Sequence, residues 1–276
     1  MQYYKSEQKI VMKKLINFFV VILLFISPYL FSATLKIQST TSTRDSGFYD
    51  YILPLYPKYD NLTIKVIAVG TGQAILNSKN CDGDILIVHD RAKEMKFITD
   101  GYGILRKDLM FNDFVVVGPR HDPANIHNLN SVGEAFLAIA NNAKFVSRAD
   151  SSGTHSAEMK IWDMVGYDPS KHSGVWYLES GQGMGPSLNI AVSTNSYILV
   201  DRSSWLKFKN KSEHMILFQN KSVLKNQYGI MLINPKRCPD MKYQESLDLY
   251  KWLISDDAKE IIKRYRIDDN QVFFTE

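Results

Sequence analysis

The chain of 276 residues is 45% apolar and 22% charged, with a formal net charge of +4 and neither repeats nor low-complexity tracts, a composition that excludes a disordered or fibrous protein. Lys5, Lys9, Lys13, Lys14 and Glu7 all fall in the first 33 residues, and without them the net charge drops to +1. The remaining chain therefore lacks the basic excess that a nucleic-acid binder would carry.

Lys13-Lys14 precedes an almost wholly apolar stretch over 15–31, closed by Ser32-Ala33. Basic region, apolar core and small residues at the cut are the layout of a secretory signal, with Met12 as the natural start and cleavage near Ser32-Ala33. An uncleaved anchor is the competing reading. The stretch is short for a membrane span and Pro28 interrupts it, so export with cleavage and a periplasmic location are expected. No cysteine lies near the cut, which argues against a lipid-anchored form. The two cysteines, Cys81 and Cys238, permit a disulfide in an exported protein, but sequence leaves their distance open.

Beyond residue 33 strand-like and helix-like segments alternate, as in an α/β protein. Residues 35–38 read as a strand, followed by the hydroxyl-rich run Ser39-Thr40-Thr41-Ser42-Thr43. Phe48, Tyr51, Ile52 and Leu55 then recur at helical spacing until Pro57. The β-branched run 63–69 ends in Gly70-Thr71-Gly72, with a helix beginning over 73–77, and a third strand over 84–88 ends in His89-Asp90. Such strand ends converge at the ligand crevice of an open parallel sheet. Phe114-Val115-Val116-Val117 reads as a buried strand, 131–141 as a helix and 144–146 as a short strand. A helix over 154–165 follows, and further on lie a helix over 187–192, strands over 197–200 and 228–234, and helices over 245–254 and 257–265. The apolar runs near 113–119 and 227–235 read as crossovers between two lobes, 34–112 plus 236–276 and 120–226. A single α/β domain with an excursion is the alternative.

The run Ser147-Arg148-Ala149-Asp150-Ser151-Ser152-Gly153-Thr154-His155 stands where a strand turns into a helix. Unpaired backbone N–H groups and the helix dipole favour negative charge at such a place, and Arg148 adds a planar fork of donors. A plain N-cap with Arg148 paired to Asp150 fits the same residues. Other chemistries fit less well. There is no Gly-x-Ser-x-Gly elbow, and Thr154 and His155 are neighbours rather than partners from separate elements. Gly181-Gln182-Gly183-Met184-Gly185 has neither dinucleotide nor Walker spacing. The six histidines are scattered, with no pair at metal-ligand spacing. An oxyanion site remains, because Thr40-Thr41-Ser42, Gly70-Thr71-Gly72 and Arg148 with Ser152-Gly153-Thr154 each close a strand and open a helix.

Together these segments resemble the tungstate-binding periplasmic proteins of ABC transporters. The resemblance covers nearly all of the exported chain, and the order and spacing of the motifs make it specific. It runs through Ser39-Thr40-Thr41-Ser42-Thr43 with Asp45-Ser46-Gly47, and Val69-Gly70-Thr71-Gly72-Gln73. It continues through Gly83-Asp84-Ile85-Leu86-Ile87-Val88-His89, Asn112-Asp113-Phe114-Val115-Val116-Val117-Gly118-Pro119 and the Arg148 run. It closes with Trp176 to Gly185 and Asn226-Gln227-Tyr228-Gly229.

The resemblance implies a two-lobed type II solute-binding fold with two crossover strands, closing on a tetrahedral oxyanion. It implies no catalysis and no cofactor or cationic metal, the bound species being the tungstate oxyanion itself. A membrane permease would be the partner and a monomer the expected state. Carried over position by position, the ligand sits among Thr41, Ser42, Thr71, Arg148, Ser152, Gly153 and Thr154. Ala149 stands where the family commonly has Gly, and Gln227 where Pro is usual; neither carries donors, so the departures bear on loop geometry.

Related phosphate-binding proteins also use an Arg-x-Asp-x-Ser-Gly-Thr run. A protonated phosphate needs an acceptor for its hydrogen, and tungstate, molybdate and sulfate do not. Asp90 pointing into the crevice would favour phosphate, and His89 there would favour the unprotonated anions; Asp150 is expected to hold Arg148. Molybdate shares the charge and shape of tungstate. An exported enzyme acting on an anionic ester, or a sensory domain, are the readings from other classes.

Overall fold

A computed structural model describes residues 34–276, so the signal-peptide reading of 1–33 lies outside the described residues. In β1 (Thr34–Thr40), Leu35 and Ile37 are buried while Lys36 between them faces outward. β2 (Thr63–Val69) runs parallel to it, in register from Thr34 opposite Thr63 to Thr40 opposite Val69. β3 (Ile85–Val88) is buried throughout and pairs with the other edge of β1, again in parallel. Helices connect these parallel strands: α1 (Thr41–Asp45) and α2 (Phe48–Ile52) after β1, and α3 (Thr71–Lys79) after β2. α4 (Arg91–Thr99) follows β3.

β4 (Gly103–Pro119) joins the two halves of the molecule. From Gly103 to Asp113 it pairs antiparallel with β9 (Lys225–Ile233), which itself pairs with β3. From Phe114 onward it pairs instead with β7 (Tyr197–Asp201) and β8 (His214–Gln219). Beyond β7 lie β5 (Phe145–Ser147) and β6 (Tyr177–Glu179), giving the order β2-β1-β3-β9-β4-β7-β5-β6 with β8 beside β4. The helices of this second half are α5 (Val132–Asn142), α6 (Gly153–Met164), α7 (Met184–Ser193) and α8 (Arg202–Lys207). The chain then returns to the first half, adding α9 (Tyr243–Leu253) and α10 (Asp256–Arg264).

The chain passes between the halves at Asp113–Phe114, at the start of the run 113–119, and at Leu224–Lys225, just before the run 227–235. The apolar character of the runs has a cause in packing. Phe114 and Val116 pack into one cluster with Phe136, Phe145 and Trp162, while Val115 and Val117 pack on the opposite face with Leu188 and Trp205. These are central strands covered on both faces, which accounts for their continuous hydrophobicity. The crossing itself is polar, formed by Asn112, Asp113, Lys225 and Asn226. Among the described residues, no helix is long and apolar enough to cross a membrane.

Candidate functional site

The register of β1 and β2 brings two helix starts side by side. Thr40 and Val69 are opposite, and α1 begins at Thr41 and α3 at Thr71. Their N-cap residues, Thr40 and Gly70, have extended backbones and make no side-chain cap bond, so the first-turn N–H groups are not claimed by a cap. The Thr40 hydroxyl is tied instead to those of Thr43 at 2.7 Å and Ser42 at 3.2 Å. Ser42 is buried and Thr41 half-buried.

α6 approaches from the second half. Ser152 caps it by accepting the His155 N–H, and the Gly153 N–H donates to the Thr71 hydroxyl at 3.1 Å. That bond joins the two halves directly. Gly153 is required here, because a Cβ would stand 2.5 Å from the His89 ring. The starts of α3 and α6 thus meet, with the start of α1 beside α3, and their dipoles give the place a positive potential without a bound cation. No group of three or more His, Cys, Asp or Glu suited to a metal ion occurs among the described residues.

Arg148 is only 4% exposed. One guanidinium nitrogen pairs with the Asp150 carboxylate, and Nε donates to the Gln182 carbonyl at 3.4 Å. Asp150 also accepts the Ser152 N–H at 3.1 Å, so it fixes both the cation and the loop entering α6. Ala149 and Ser151 adopt left-handed backbones, with φ of +47° and +58°. For Ala149 this costs about 1–2 kcal/mol relative to right-handed backbone, which is the physical reason a glycine suits the position. Gln227, the other departure, holds the crossing by donating to the Met110 carbonyl at 2.9 Å. The hydroxyl of Thr154, in the first turn of α6, is buried without any partner, one of two such side-chain atoms among the described residues. An orphaned buried hydroxyl costs about 1–3 kcal/mol unless something accepts from it.

The two residues after β3 go different ways. Asp90 caps α4, accepting the Lys93 N–H at 3.2 Å and pairing with the Lys93 ammonium at 3.1 Å. Burial acts to raise its pKa, but the Lys93 charge and the bonds from Lys93 and Ser156 outweigh it and hold the carboxyl below the usual range. His89 packs on Gly153 and against the Tyr228 ring, 4.9 Å between centroids. A chain of bonds fixes its tautomer. The Asp201 carboxylate can only accept, and it takes the Asn112 amide N–H at 3.4 Å; Asn112 accepts from Asn226 at 2.7 Å, and Asn226 accepts from His89 Nδ1 at 2.9 Å. Nδ1 therefore carries the hydrogen. Burial keeps the ring neutral by lowering its pKa to about 4, against the opposing pull of Asp201. His155, in the first turn of α6, is tied to its own loop, accepting the Ser151 N–H at 3.2 Å.

One supporting residue has no signature in the sequence. Glu158 lies inside α6 with no cation beside it, and its carboxyl accepts from Ser147 at 2.8 Å, Tyr177 at 2.6 Å and Trp162 at 3.2 Å. Ser147 in turn accepts the Ala149 N–H at 3.2 Å, so this buried acid anchors the strand end that carries Arg148. Burial raises its pKa to about 7. A raised carboxyl stabilises the fold fully below its unfolded value near 4.5, and that contribution is lost as pH rises through about 7. Glu158→Gln, which keeps the shape without the charge, is expected to gain up to about 3 kcal/mol on wild type between pH 5 and pH 8. Urea unfolding at the two pH values checks this, and identical pH profiles in both proteins would refute it.

Of the positions singled out in the sequence, Thr71 and Gly153 are bonded to each other, and Ser152 and Thr154 flank Gly153 in the chain. Arg148 reaches the same loop through Asp150, while Thr41 and Ser42 open the helix beside Thr71. Both nearby acids, Asp90 and Asp150, are committed to cations. The arrangement offers hydroxyl and amide donors, one guanidinium and no free carboxylate acceptor, which suits an anion that carries no hydrogen.

A model of the PBP superfamily domain matches residues 32–257. The tungstate-binding protein TupA of Peptoclostridium acidaminophilum is 37% identical over 83% of this chain and 80% of its own length. TupA of Campylobacter jejuni is 34% identical over 84% of this chain and 87% of its own. The crystal structure of the tungstate ABC transporter from Geobacter sulfurreducens shares 43% identity and superposes with a TM-score of 0.77, covering 84% of this chain and 98% of that one.

Proposed function

The chain belongs to the PBP superfamily and, within it, to the family of the tungstate-binding proteins, and from that premise we infer that it is a solute-binding protein that captures tungstate for uptake through an ABC transporter. The observation that carries the reading is the unpartnered Thr154 hydroxyl, buried at the start of α6 beside the loop that holds Arg148. A tungstate oxygen would accept from it. The remaining oxygens would take the guanidinium of Arg148, the hydroxyls of Thr41, Ser42, Thr71 and Ser152, and the uncapped amides at the helix starts, with the Gly153 N–H, which donates to the Thr71 hydroxyl in this structure, turning to the ligand on binding. Neutral donors suffice for most of the shell, because a buried dianion needs its lost hydration replaced more than its charge cancelled.

Binding here is capture and release without chemistry. The protein is proposed to work outside the cytoplasm once residues 1–33 are removed, and to hand its ligand to a membrane permease. Committed carboxylates support an anion without a hydrogen over phosphate: Asp90 is held by Lys93 and Asp150 by Arg148. Phosphate would then bury an O–H with no carboxylate to accept it, which costs about 1–3 kcal/mol, roughly ten- to a hundredfold in affinity. Calorimetric titration with tungstate, molybdate, sulfate and phosphate is expected to give tight binding of tungstate and weak or no binding of phosphate. Tight phosphate binding with no response to tungstate would sink the reading.

A further inference from the structure

Lys93 reaches out of α4 in the first half to the loop and helix of the second. Its ammonium donates to the Ser151 carbonyl and the Ser156 hydroxyl, each at 2.9 Å, while pairing with Asp90 of its own half at 3.1 Å. An ammonium has three hydrogens, and here each has an acceptor. Lys93 thereby links the Asp90 carboxylate of its own half to the Ser156 hydroxyl of the other, a polar cluster spanning the halves. The segment it grips, from Ser151 to Ser156, begins one residue beyond Asp150, which holds Arg148, and contains Gly153 and Thr154.

Two further contacts cross at the same place, the Thr71–Gly153 bond and the packing of His89 on Gly153. Neither is charge-assisted. The Lys93 contacts are, and their acceptors lie outside the set of ligand donors. The two crossing strands pass between the halves at Asp113–Phe114 and Leu224–Lys225, so the halves can separate only by breaking the contacts around Gly153 and Ser156.

We propose that Lys93 is the latch of the closed protein, a positioning residue that sets how slowly the bound anion is released without itself touching it. The latch rests on the tungstate-binding reading. Lys93 is about one-third exposed, and replacing it with the similarly long methionine leaves the half-buried stem packed. Ser156→Ala removes one acceptor on the opposite half and no charge.

Stopped-flow displacement of bound tungstate reads the release rate directly. Lys93→Met is expected to release tungstate about tenfold or more faster than wild type, and Ser156→Ala to shift release in the same direction by less, because it removes one of the two charge-assisted bonds to the second half and leaves the one to the Ser151 carbonyl. At high salt, where the steering effect of one exposed charge is screened, the association rate of both variants should match wild type. Release from Lys93→Met within about twofold of wild type, with the variant folded, overturns the latch and leaves the tungstate reading standing. Absence of saturable tungstate binding by wild type itself overturns both.

Discussion

Arg148→Ala is expected to lower the tungstate affinity by about 3–5 kcal/mol, roughly two to four orders of magnitude, because it removes the single formal positive charge assigned to a buried dianion. The guanidinium is 4% exposed and already oriented by Asp150 and the Gln182 carbonyl, so little entropy is lost when it engages a ligand. Its removal also leaves the Asp150 carboxylate facing the same space without a counter-charge. Arg148→Lys should recover part of the loss, keeping the charge but not the fork that binds two oxygens at once. Asp150→Asn should weaken binding less than Arg148→Ala, since the cation stays and only its orientation is relaxed. Calorimetry on variants of unchanged thermal midpoint measures each step. Affinity retained within about tenfold in Arg148→Ala would remove Arg148 from the site.

What could be read from the sequence follows the range of the interactions involved. The strand-to-helix junctions were legible because Ser, Thr and Gly cluster where helix starts need caps or open amides, a local requirement. Gly153 was legible as part of a motif, but the reason for it is the His89 ring, which arrives from a strand 64 positions away in the chain. α4 passed unread: in Arg-Ala-Lys-Glu-Met-Lys-Phe-Ile-Thr the buried positions are Glu94 and Phe97, so no apolar stripe marks the helix that carries Lys93. Glu94 is buried through its pairing with Arg106 at 2.8 Å, a contact across sequence that periodicity does not register. Glu158 shows the same limit. A glutamate inside an amphipathic helix reads as solvated, and only Ser147, Tyr177 and Trp162 gathered around it make it internal.

The passages between the two halves lie beside the apolar runs. Asp113–Phe114 opens the apolar run 113–119 and Leu224–Lys225 lies just before 227–235, and the backbone stays paired through both, Asp113 with Lys225 in the ladder and the Phe114 N–H on the Leu224 carbonyl. The side chains of Asn112 and Asn226 meet there, bonded to each other and linked to Asp201 on one side and His89 on the other. Polar residues thus stand at the passage itself, and the apolar runs beyond it are strands buried in the core. The fork posed by His89-Asp90 was likewise decided by tertiary partners, because Lys93 takes Asp90 into a cap and an ion pair.

Loss of the Cys81–Cys238 disulfide is expected to be the largest single stability change in the molecule. Sequence left the pair open; in the structure they are bonded, with Cα atoms 5.4 Å apart and a sequence separation of 157. The bond ties the segment between α3 and β3 to the segment after β9, so the enclosed loop contains the whole second half and both crossing strands. Cross-linking so long a loop removes denatured-state entropy worth up to about 5 kcal/mol, and structure persisting in the denatured chain brings the expected loss to about 3–5 kcal/mol. The Cys81→Ser/Cys238→Ser variant measures it cleanly by urea unfolding, since single variants leave a free thiol. A loss below about 1 kcal/mol would show that the denatured chain is already constrained there.

Tungstate affinity should not follow. Cys81 precedes the start of β3, whereas His89 and the helix starts lie beyond the opposite ends of the strands, so the bond and the site are separated by the length of the sheet. A ligand that binds only the folded state at a thousand times its Kd adds about 4 kcal/mol. Saturating tungstate should therefore restore most of what the missing disulfide removes, and the liganded variant should unfold near the urea midpoint of unliganded wild type. Rescue of that size separates a protein destabilised globally from one whose binding site has been lost.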